Sequence, residues 1–152
     1  MLGEETLKIL VALICIIFLI YFLTSIYFAK LNETKRIEAT NVIERIYEIA
    51  RDLQTSESNY TIPNPSGWYL FSFTETKKPN ACATENCMCV CSKIMNIPLL
   101  DNSERQIKEC DKKGACQIVS NLNKFEAVKI GPSSDLTTII INKQNGVSIT
   151  KK

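Results

Sequence analysis

The chain has 152 residues, of which 45% are hydrophobic and 22% charged, and its formal net charge is +2. Lysines and acidic residues are interspersed, and the lack of a basic stripe excludes an ordinary nucleic-acid-binding surface. The sequence contains no histidine, so Ser-His-Asp and Cys-His catalytic groups cannot form within the chain. We therefore expect a protein that is not an enzyme and that carries no cofactor.

An N-terminal apolar run predicts a membrane-spanning helix. The run begins at Ile9 and ends at Ala29, carries no charge, and is flanked by Lys8 and Lys30. A helix of about 20 residues is roughly 30 Å long, which matches the hydrocarbon core of a bilayer. Residues 1–8 are short and acidic, unlike the basic start of a signal peptide. We expect residues 1–30 to be a retained membrane anchor, and a cleaved segment is the alternative.

Residues 31–54 are predicted to form an amphipathic helix. Residues 31–53 contain no Gly or Pro, and apolar residues recur there at steps of three and four. The apolar stripe consists of Ile37, Ile43, Ile46, Tyr47, Ala50 and Leu53. Either one long helix extends from about Glu4 to Gln54, or two helices meet near residues 31–34. We expect the stripe to pack on the rest of the chain; the alternative is contact with a protein partner or with other copies.

Residues 55–66 are rich in Ser, Thr, Asn and Pro and predict a linker. Residues 67–152 then predict a cysteine-containing antiparallel β-domain. Within it we expect a turn at 77–80 and an irregular stretch at 98–109 with one helical turn around 104–108. The predicted strands are 68–73, 87–91, 115–120, 125–130, 136–143 and 147–151. The expected fold class is α+β, with a long N-terminal helix followed by a small disulfide-bonded antiparallel sheet domain.

The last two predicted strands are joined by a three-residue hairpin loop, in which Gly146 takes the left-handed position. This register sets Ile141 opposite Ile149 and Lys143 opposite Val147. It also places four apolar side chains on one face: Ile139, Ile141, Val147 and Ile149. The amphipathic helix is the expected cover for that face.

The sequence has seven cysteines. Cys15 lies in the apolar run and is interpreted as a small apolar residue. The other six are disulfide candidates: Cys82, Cys87, Cys89, Cys91, Cys110 and Cys116. The three on the strand 87–91 share one face and are poorly spaced to bond each other, so each is expected to pair with one of the other three. Which cysteine pairs with which remains open.

Two other uses of the cysteines are possible. The closely spaced C-x-C repeats resemble thiolate clusters that hold zinc, copper(I) or iron–sulfur centres. A redox-active thiol is the further alternative. The chain lacks both the C-x2-C spacing of common zinc sites and histidine ligands, so we expect structural disulfides and no metal.

The signals for membrane orientation conflict. Two N-glycosylation triplets begin at Asn32 and Asn59, and with the clustered cysteines they favour an extracellular C-terminal domain. Counting basic residues beside the apolar run favours the opposite, because Lys30, Lys35 and Arg36 follow it and only Lys8 precedes it. We expect a single-pass cell-membrane protein with its C-terminal domain outside.

Several motifs carry a resemblance to uncharacterised single-pass membrane proteins of small-genome archaea. They are the aromatic strand 68–73, Cys82 with the strand 87–91, the segment from Cys110 to Cys116, and the terminal hairpin. The resemblance implies an anchored β-domain and no known activity.

The order of elements is also similar to that of a type IV pilin. The pilin motif has a glycine before the cleavage site and a glutamate at the fifth mature position. Gly3 matches the glycine, whereas the fifth residue after it is Lys8. The expected function is a non-enzymatic, membrane-anchored cell-surface module with a structural or interaction role. A pilin-like filament subunit and a thiolate metal-binding or redox protein are the alternatives.

Overall fold

The computed structural model describes residues 2–54, 57–98 and 100–152 and has the α+β fold expected from the sequence. The chain divides into two units, Met1–Thr34 and Lys35–Lys152. The elements in chain order are α1 (Leu2–Asp52), β1 (Glu57–Ile62), β2 (Tyr69–Phe73), a short 3-10 helix (Asn80–Cys82), β3 (Cys87–Cys91), α2 (Asn102–Lys113), β4 (Ala115–Ile118), β5 (Val128–Lys129), β6 (Thr137–Asn142) and β7 (Ser148–Lys151).

The first unit is the N-terminal part of α1. Its apolar side chains from Leu7 to Phe28 are exposed within the unit, and α1 is long and apolar enough to cross a membrane. The Thr24 hydroxyl bonds to the Ile20 carbonyl at 2.9 Å and to the Tyr21 carbonyl at 2.8 Å. Both hydroxyl bonds stay within the helix, so Thr24 needs no outside partner in an apolar environment. The predicted anchor, residues 1–30, lies in this helix apart from Met1, which is outside the described residues.

In the second unit, α1 buries one face. The side chains of this face are Ala39, Val42, Ile43, Ile46 and Ala50. The predicted packing of the stripe on the domain is confirmed, but its membership was partly wrong, because Ile37 is 55% exposed. At 100° per residue, nine residues separate Ile37 from Ile46 by about half a turn. Ile37 therefore lies on the opposite side of the helix.

The three-stranded sheet has the order β1-β6-β7 and is antiparallel throughout. We call it the isoleucine sheet, because its buried apolar side chains are Ile62, Ile139, Ile141 and Ile149. The predicted linker 55–66 was wrong over Glu57–Ile62, which forms β1 beside β6; residues 55 and 56 lie outside the described residues. Burial increases at every second residue of β1 and is complete at Ile62, but the first inward position is the polar Ser58, which weakens the alternating pattern in the sequence.

The predicted C-terminal hairpin is confirmed. Ile141 lies opposite Ile149 in the β6–β7 register, and Val147 is buried with them. Gly146 has φ +103°, and a Cβ there would lie 2.5 Å from the Asn121 carbonyl oxygen. The position therefore requires glycine for its backbone conformation and for its close approach to Asn121.

The four-stranded sheet has the order β4-β3-β2-β5, and we call it the cysteine sheet. Its central strand β3 is buried at all five positions. Met88 and Val90 belong to the core that also contains Leu70, whereas the alternating Cys87, Cys89 and Cys91 form a separate buried cluster. Strand β3 is therefore covered on both faces.

Two parts of the domain depart from the predicted pattern. The sequence predicted an irregular stretch at 98–109, but the structure has a twelve-residue helix at Asn102–Lys113, with Asp101 as its N-cap. Residue 99 lies outside the described residues. The predicted strand 125–130 is reduced to β5, Val128–Lys129. Before β5, the Ser72 hydroxyl replaces strand pairing, because it accepts from Phe125 N and donates to Phe125 O, both at 3.0 Å.

One hydrophobic core connects the elements of the second unit. It contains the buried face of α1, the buried isoleucines of the isoleucine sheet, and Leu70, Met88 and Val90 of the cysteine sheet. The only tryptophan of the sequence, Trp68, also lies in this core. A disturbance of either sheet therefore reaches the same core.

Candidate functional site

The cysteine cluster is formed by three disulfides: Cys82–Cys87, Cys89–Cys116 and Cys91–Cys110. As predicted, no two cysteines of β3 bond each other, and each pairs with a cysteine outside that strand. All six candidate cysteines therefore form disulfides as expected. The structure also defines the pairing, which the sequence left open. Cys15 is not in a disulfide and is exposed within the first unit.

Each disulfide fixes a different contact of β3. Cys89 and Cys116 face each other in the β3–β4 register with a Cα–Cα distance of 4.1 Å. The Cys91–Cys110 bond connects β3 to α2, with Cα atoms 5.1 Å apart. The remaining bond ties β3 to the preceding 3-10 helix at a Cα–Cα distance of 5.8 Å. Strand, helix and loop are thus held to one central strand.

Two of the disulfides lie side by side. The Sγ atoms of Cys82, Cys89 and Cys116 are all within 4.8 Å of one another. Cys82 and Cys89 are fully buried, while Cys116 is only half-buried. A groove of about 270 Å³ is lined by Cys116 and Cys110, together with residues that include Arg36, Thr40, Glu44, Ala81, Asp111 and Gln117. This groove gives solvent and small reagents a way to the sulfur cluster.

An aromatic ladder lies on the same face of β2 as the cysteines of β3. Tyr69, Phe71 and Phe73 alternate along β2 and stand opposite Cys91, Cys89 and Cys87. The ring centroids are 6.0 Å apart for Tyr69–Phe71 and 6.2 Å for Phe71–Phe73. The Lys93 ammonium lies 5.2 Å from the centre of the Tyr69 ring, which is within cation–π range.

A cleft of about 500 Å³ opens between the end of β2 and α2. Its wall includes Phe73, Ile107 and Gln106, with Lys77 and Lys124 at the sides. Both lysines are paired, Lys77 with Asp101 and Lys124 with Glu75. The bond from Lys77, with the backbone and Ser103 donors at the helix start, holds the pKa of Asp101 far below its ordinary value. The cleft therefore combines two apolar residues, Phe73 and Ile107, with a mostly polar lining whose lysines are paired with carboxylates.

The loop between β3 and α2 carries an exposed apolar patch that the sequence prediction missed. The patch consists of Met95, which is 82% exposed, with Ile97 and Leu100. The available signal was the density of apolar residues in 94–100, a stretch bounded by Lys93 and Asp101. We call residues 92–101 the apolar loop.

Side chains of α2 hold the backbone of the apolar loop in place. Gln106 accepts from Ile94 N at 3.0 Å and donates to Ser92 O at 2.8 Å. Arg105 donates to the Met95 carbonyl at 3.3 Å, and Asn102 accepts from Ile97 N at 3.1 Å. The backbone of residues 92–97 is thus bonded to α2, while the side chains of Met95, Ile97 and Leu100 are exposed to solvent.

The two glycosylation candidates are both accessible, each within its own unit. Asn32 is exposed on α1 in the first unit, and Asn59 is exposed on β1 in the second. The hydroxyl of each acceptor triplet is engaged: Thr34 bonds to the Lys30 carbonyl, and Thr61 bonds to the Thr138 hydroxyl. Modification at either asparagine stays a prediction.

Comparison of the chain with protein-family models, with curated proteins and with solved structures gave no match.

Proposed function

We propose that the protein is a non-enzymatic module that a single membrane-spanning helix displays at the cell surface, with the disulfide-bonded domain outside. The observation that carries this proposal is the joint presence of an exposed, uncharged apolar run in α1, from Ile9 to Ala29, and of three disulfides in the second unit. Disulfides persist in oxidising compartments and are rare in the cytosol of most organisms. This argument outweighs the excess of basic residues after the span.

Protease accessibility on intact cells tests the orientation. The full chain would carry one epitope at its N-terminus and another at its C-terminus. We expect added protease to remove the C-terminal epitope without lysis, while the N-terminal epitope survives until the cells are opened. A C-terminal epitope that survives on intact cells and disappears only after lysis would contradict the proposal.

The apolar loop supports an interaction role for the displayed domain. Exposed apolar side chains on an ordered loop are typical of contact surfaces, and Met95, Ile97 and Leu100 form such a group. The partner that fits is a protein with an apolar groove. A photo-crosslinking residue at position 95 should give a discrete adduct in native membranes, and the same residue at exposed Leu136, outside the loop, should not. Equal labelling from both positions would speak against the loop as the contact surface.

A pilin-like filament subunit is the second candidate. It is supported by the division of α1, whose N-terminal part exposes apolar side chains while its residues from Ala39 to Ala50 bury one face in the domain. A filament would bury the exposed part among neighbouring copies. Surface structures sheared from cells would then contain this chain in sedimentable filaments. Recovery solely in the membrane fraction, as a detergent-soluble monomer, would exclude filament assembly.

A further inference from the structure

Two neighbouring disulfides bring four sulfur atoms into one small cluster. The Sγ atoms of Cys82, Cys89 and Cys116 lie within 4.8 Å of one another, and Cys87 is bonded to Cys82. In a tetrahedral zinc–thiolate site with Zn–S bonds of about 2.3 Å, neighbouring sulfurs are about 3.8 Å apart. Three of the four sulfurs therefore already lie close together, and the fourth, that of Cys87, is held beside them by its bond to Cys82.

We propose that these four cysteines, Cys82, Cys87, Cys89 and Cys116, form a soft-metal site for Zn²⁺ or Cu⁺ when their two disulfides are reduced. The third disulfide, Cys91–Cys110, has no sulfur in the group of three that approach one another, and neither of its sulfurs is bonded to a member of that group. The structure thus separates four ligand cysteines from two structural ones, a division that the sequence spacing does not contain. The proposal holds for either orientation of the domain in the membrane.

The conversion is chemically balanced with a dithiol as reductant. Each disulfide takes up two electrons and two protons, and each dithiol molecule is oxidised to a disulfide. The four resulting thiols release their protons to solvent as the metal binds, because the ligands are thiolates. Thiolate ligands select Zn²⁺ and Cu⁺ over hard cations such as Mg²⁺ and Ca²⁺.

The surroundings of the cluster allow both the reduction of the disulfides and the binding of the metal. Cys116 and Cys110 both line the groove that Arg36 also lines, but Cys110 is buried and Cys116 only half-buried, so the attack of the reductant begins at Cys116 and the metal enters by the same path. Four thiolates around Zn²⁺ leave a net charge of −2, and the Arg36 guanidinium is the positive group on the groove wall. Glu44 and Asp111 also line the groove, and the Asp111 carboxylate accepts from the Asn80 amide at 3.1 Å.

Cobalt(II) titration of the full chain in detergent tests the proposal. The protein is first reduced without oxygen by a phosphine, which leaves no thiol reagent to compete for the metal. We expect one Co²⁺ per chain, with the intense sulfur-to-cobalt absorption of a tetrahedral thiolate site, and displacement of that Co²⁺ by Zn²⁺. The unreduced protein should show no such absorption.

Two sets of variants locate the ligands. Cys116→Ser and Cys82→Ser should weaken Co²⁺ binding at least tenfold and change the absorption spectrum. The control, Cys91→Ala with Cys110→Ala, removes the two cysteines of the third disulfide, one more than each test variant, and should still bind like the reduced wild type. The proposal is overturned if reduced wild type shows no thiolate–cobalt band, if the control loses the band, or if Cys116→Ser keeps full affinity.

Discussion

The two sheets of the domain share one core but are stabilised by different means. The isoleucine sheet contributes Ile62, Ile139, Ile141 and Ile149 to the core and contains no cysteine. The cysteine sheet has a central strand covered on both faces, by the core on one side and by disulfides on the other. One sheet therefore depends on the removal of apolar area from water, and the other adds covalent bonds that restrict the unfolded chain.

The comparison of the two sheets indicates which interactions stabilise each part of a small domain. The face that α1 covers needs no covalent bond, because the helix supplies apolar partners along its whole buried stripe. The opposite face of the cysteine sheet has only half-buried Phe71 and Phe73 as apolar neighbours of the disulfides. Sulfur bridges stabilise the part of the fold where the apolar cover is thinnest.

The largest expected effect comes from reduction of all three disulfides in the absence of metal. The loop lengths of 5, 19 and 27 residues correspond to about 2, 3 and 3.5 kcal/mol in the chain-entropy relation. Together these values approach the whole stability of a typical domain, about 5–15 kcal/mol. We expect the reduced domain to unfold at low urea concentration, with a red shift of the Trp68 fluorescence. An almost unchanged urea midpoint would show that the cysteine sheet does not depend on its disulfides for stability.

The isoleucine side of the comparison is tested by Ile46→Ala on α1. Ile46 is fully buried in the core, so truncation should cost about 2–5 kcal/mol. Ile37→Ala is the matched control on the same helix, and its free energy of unfolding should change by less than about 0.5 kcal/mol because the side chain is exposed. Urea unfolding of both oxidised variants gives the two values, and similar losses would refute the assigned helix face.

A substitution at Gly114 tests how tightly α2 and β3 approach. A Cβ at this position would lie 2.7 Å from both the Cys110 carbonyl oxygen and Cys91 Cβ. We expect Gly114→Ala to destabilise the domain by about 1–3 kcal/mol through overpacking beside the Cys91–Cys110 bond. Gly3→Ala, which meets open space, should leave the urea midpoint unchanged. A stable Gly114→Ala variant would mean that the contact is looser than described.

The smallest effect is a pH dependence at the start of α2. The pKa of Asp101 is held below its ordinary value in the folded state by the Lys77 bond and the helix N-cap bonds. The carboxylate therefore adds stability that is fully present above the unfolded pKa of about 3.9 and is lost as the pH falls below it. The side chain is exposed, so we expect a shift of only a few degrees in melting temperature.

Two variants separate the charge of Asp101 from its capping role. Asp101→Asn keeps a capping residue and should remove the acid-dependent part alone. Asp101→Ala should in addition lower the melting temperature at neutral pH. Melting curves at pH 3 and pH 7 provide the comparison, and an unchanged acid dependence in Asp101→Asn would assign the effect to another carboxylate.

The sequence predicted the parts of this fold whose patterns are local. The apolar run, the alternating cysteines of β3 and the hairpin around Gly146 follow from spacing alone, and the structure confirms the helix, the use of the cysteines and the hairpin register. The disulfide partners are not local, because they depend on how β4 and α2 pack on β3. No spacing rule could select them.

The missed features have physical reasons. Strand β1 has the polar Ser58 at an inward position, which weakens its alternating pattern, and it pairs with β6 about 80 positions later, so its pairing has no local signature. Helix α2 is strongly charged. Its main distinguishing features are the N-cap Asp101 and the side chains that bond to the apolar loop, and these contacts become evident in the folded structure. The candidate metal cluster needs β3, β4 and the 3-10 helix in their folded places.

A disulfide map of the protein in native membranes tests the central claim most directly. Membranes are treated with an alkylating reagent before solubilisation, and the linked peptides are then identified by mass spectrometry. We predict the pairs Cys82–Cys87, Cys89–Cys116 and Cys91–Cys110, with Cys15 as the cysteine that is not disulfide-bonded. Alkylation of all six cysteines of the domain would contradict an oxidised, extracellular domain.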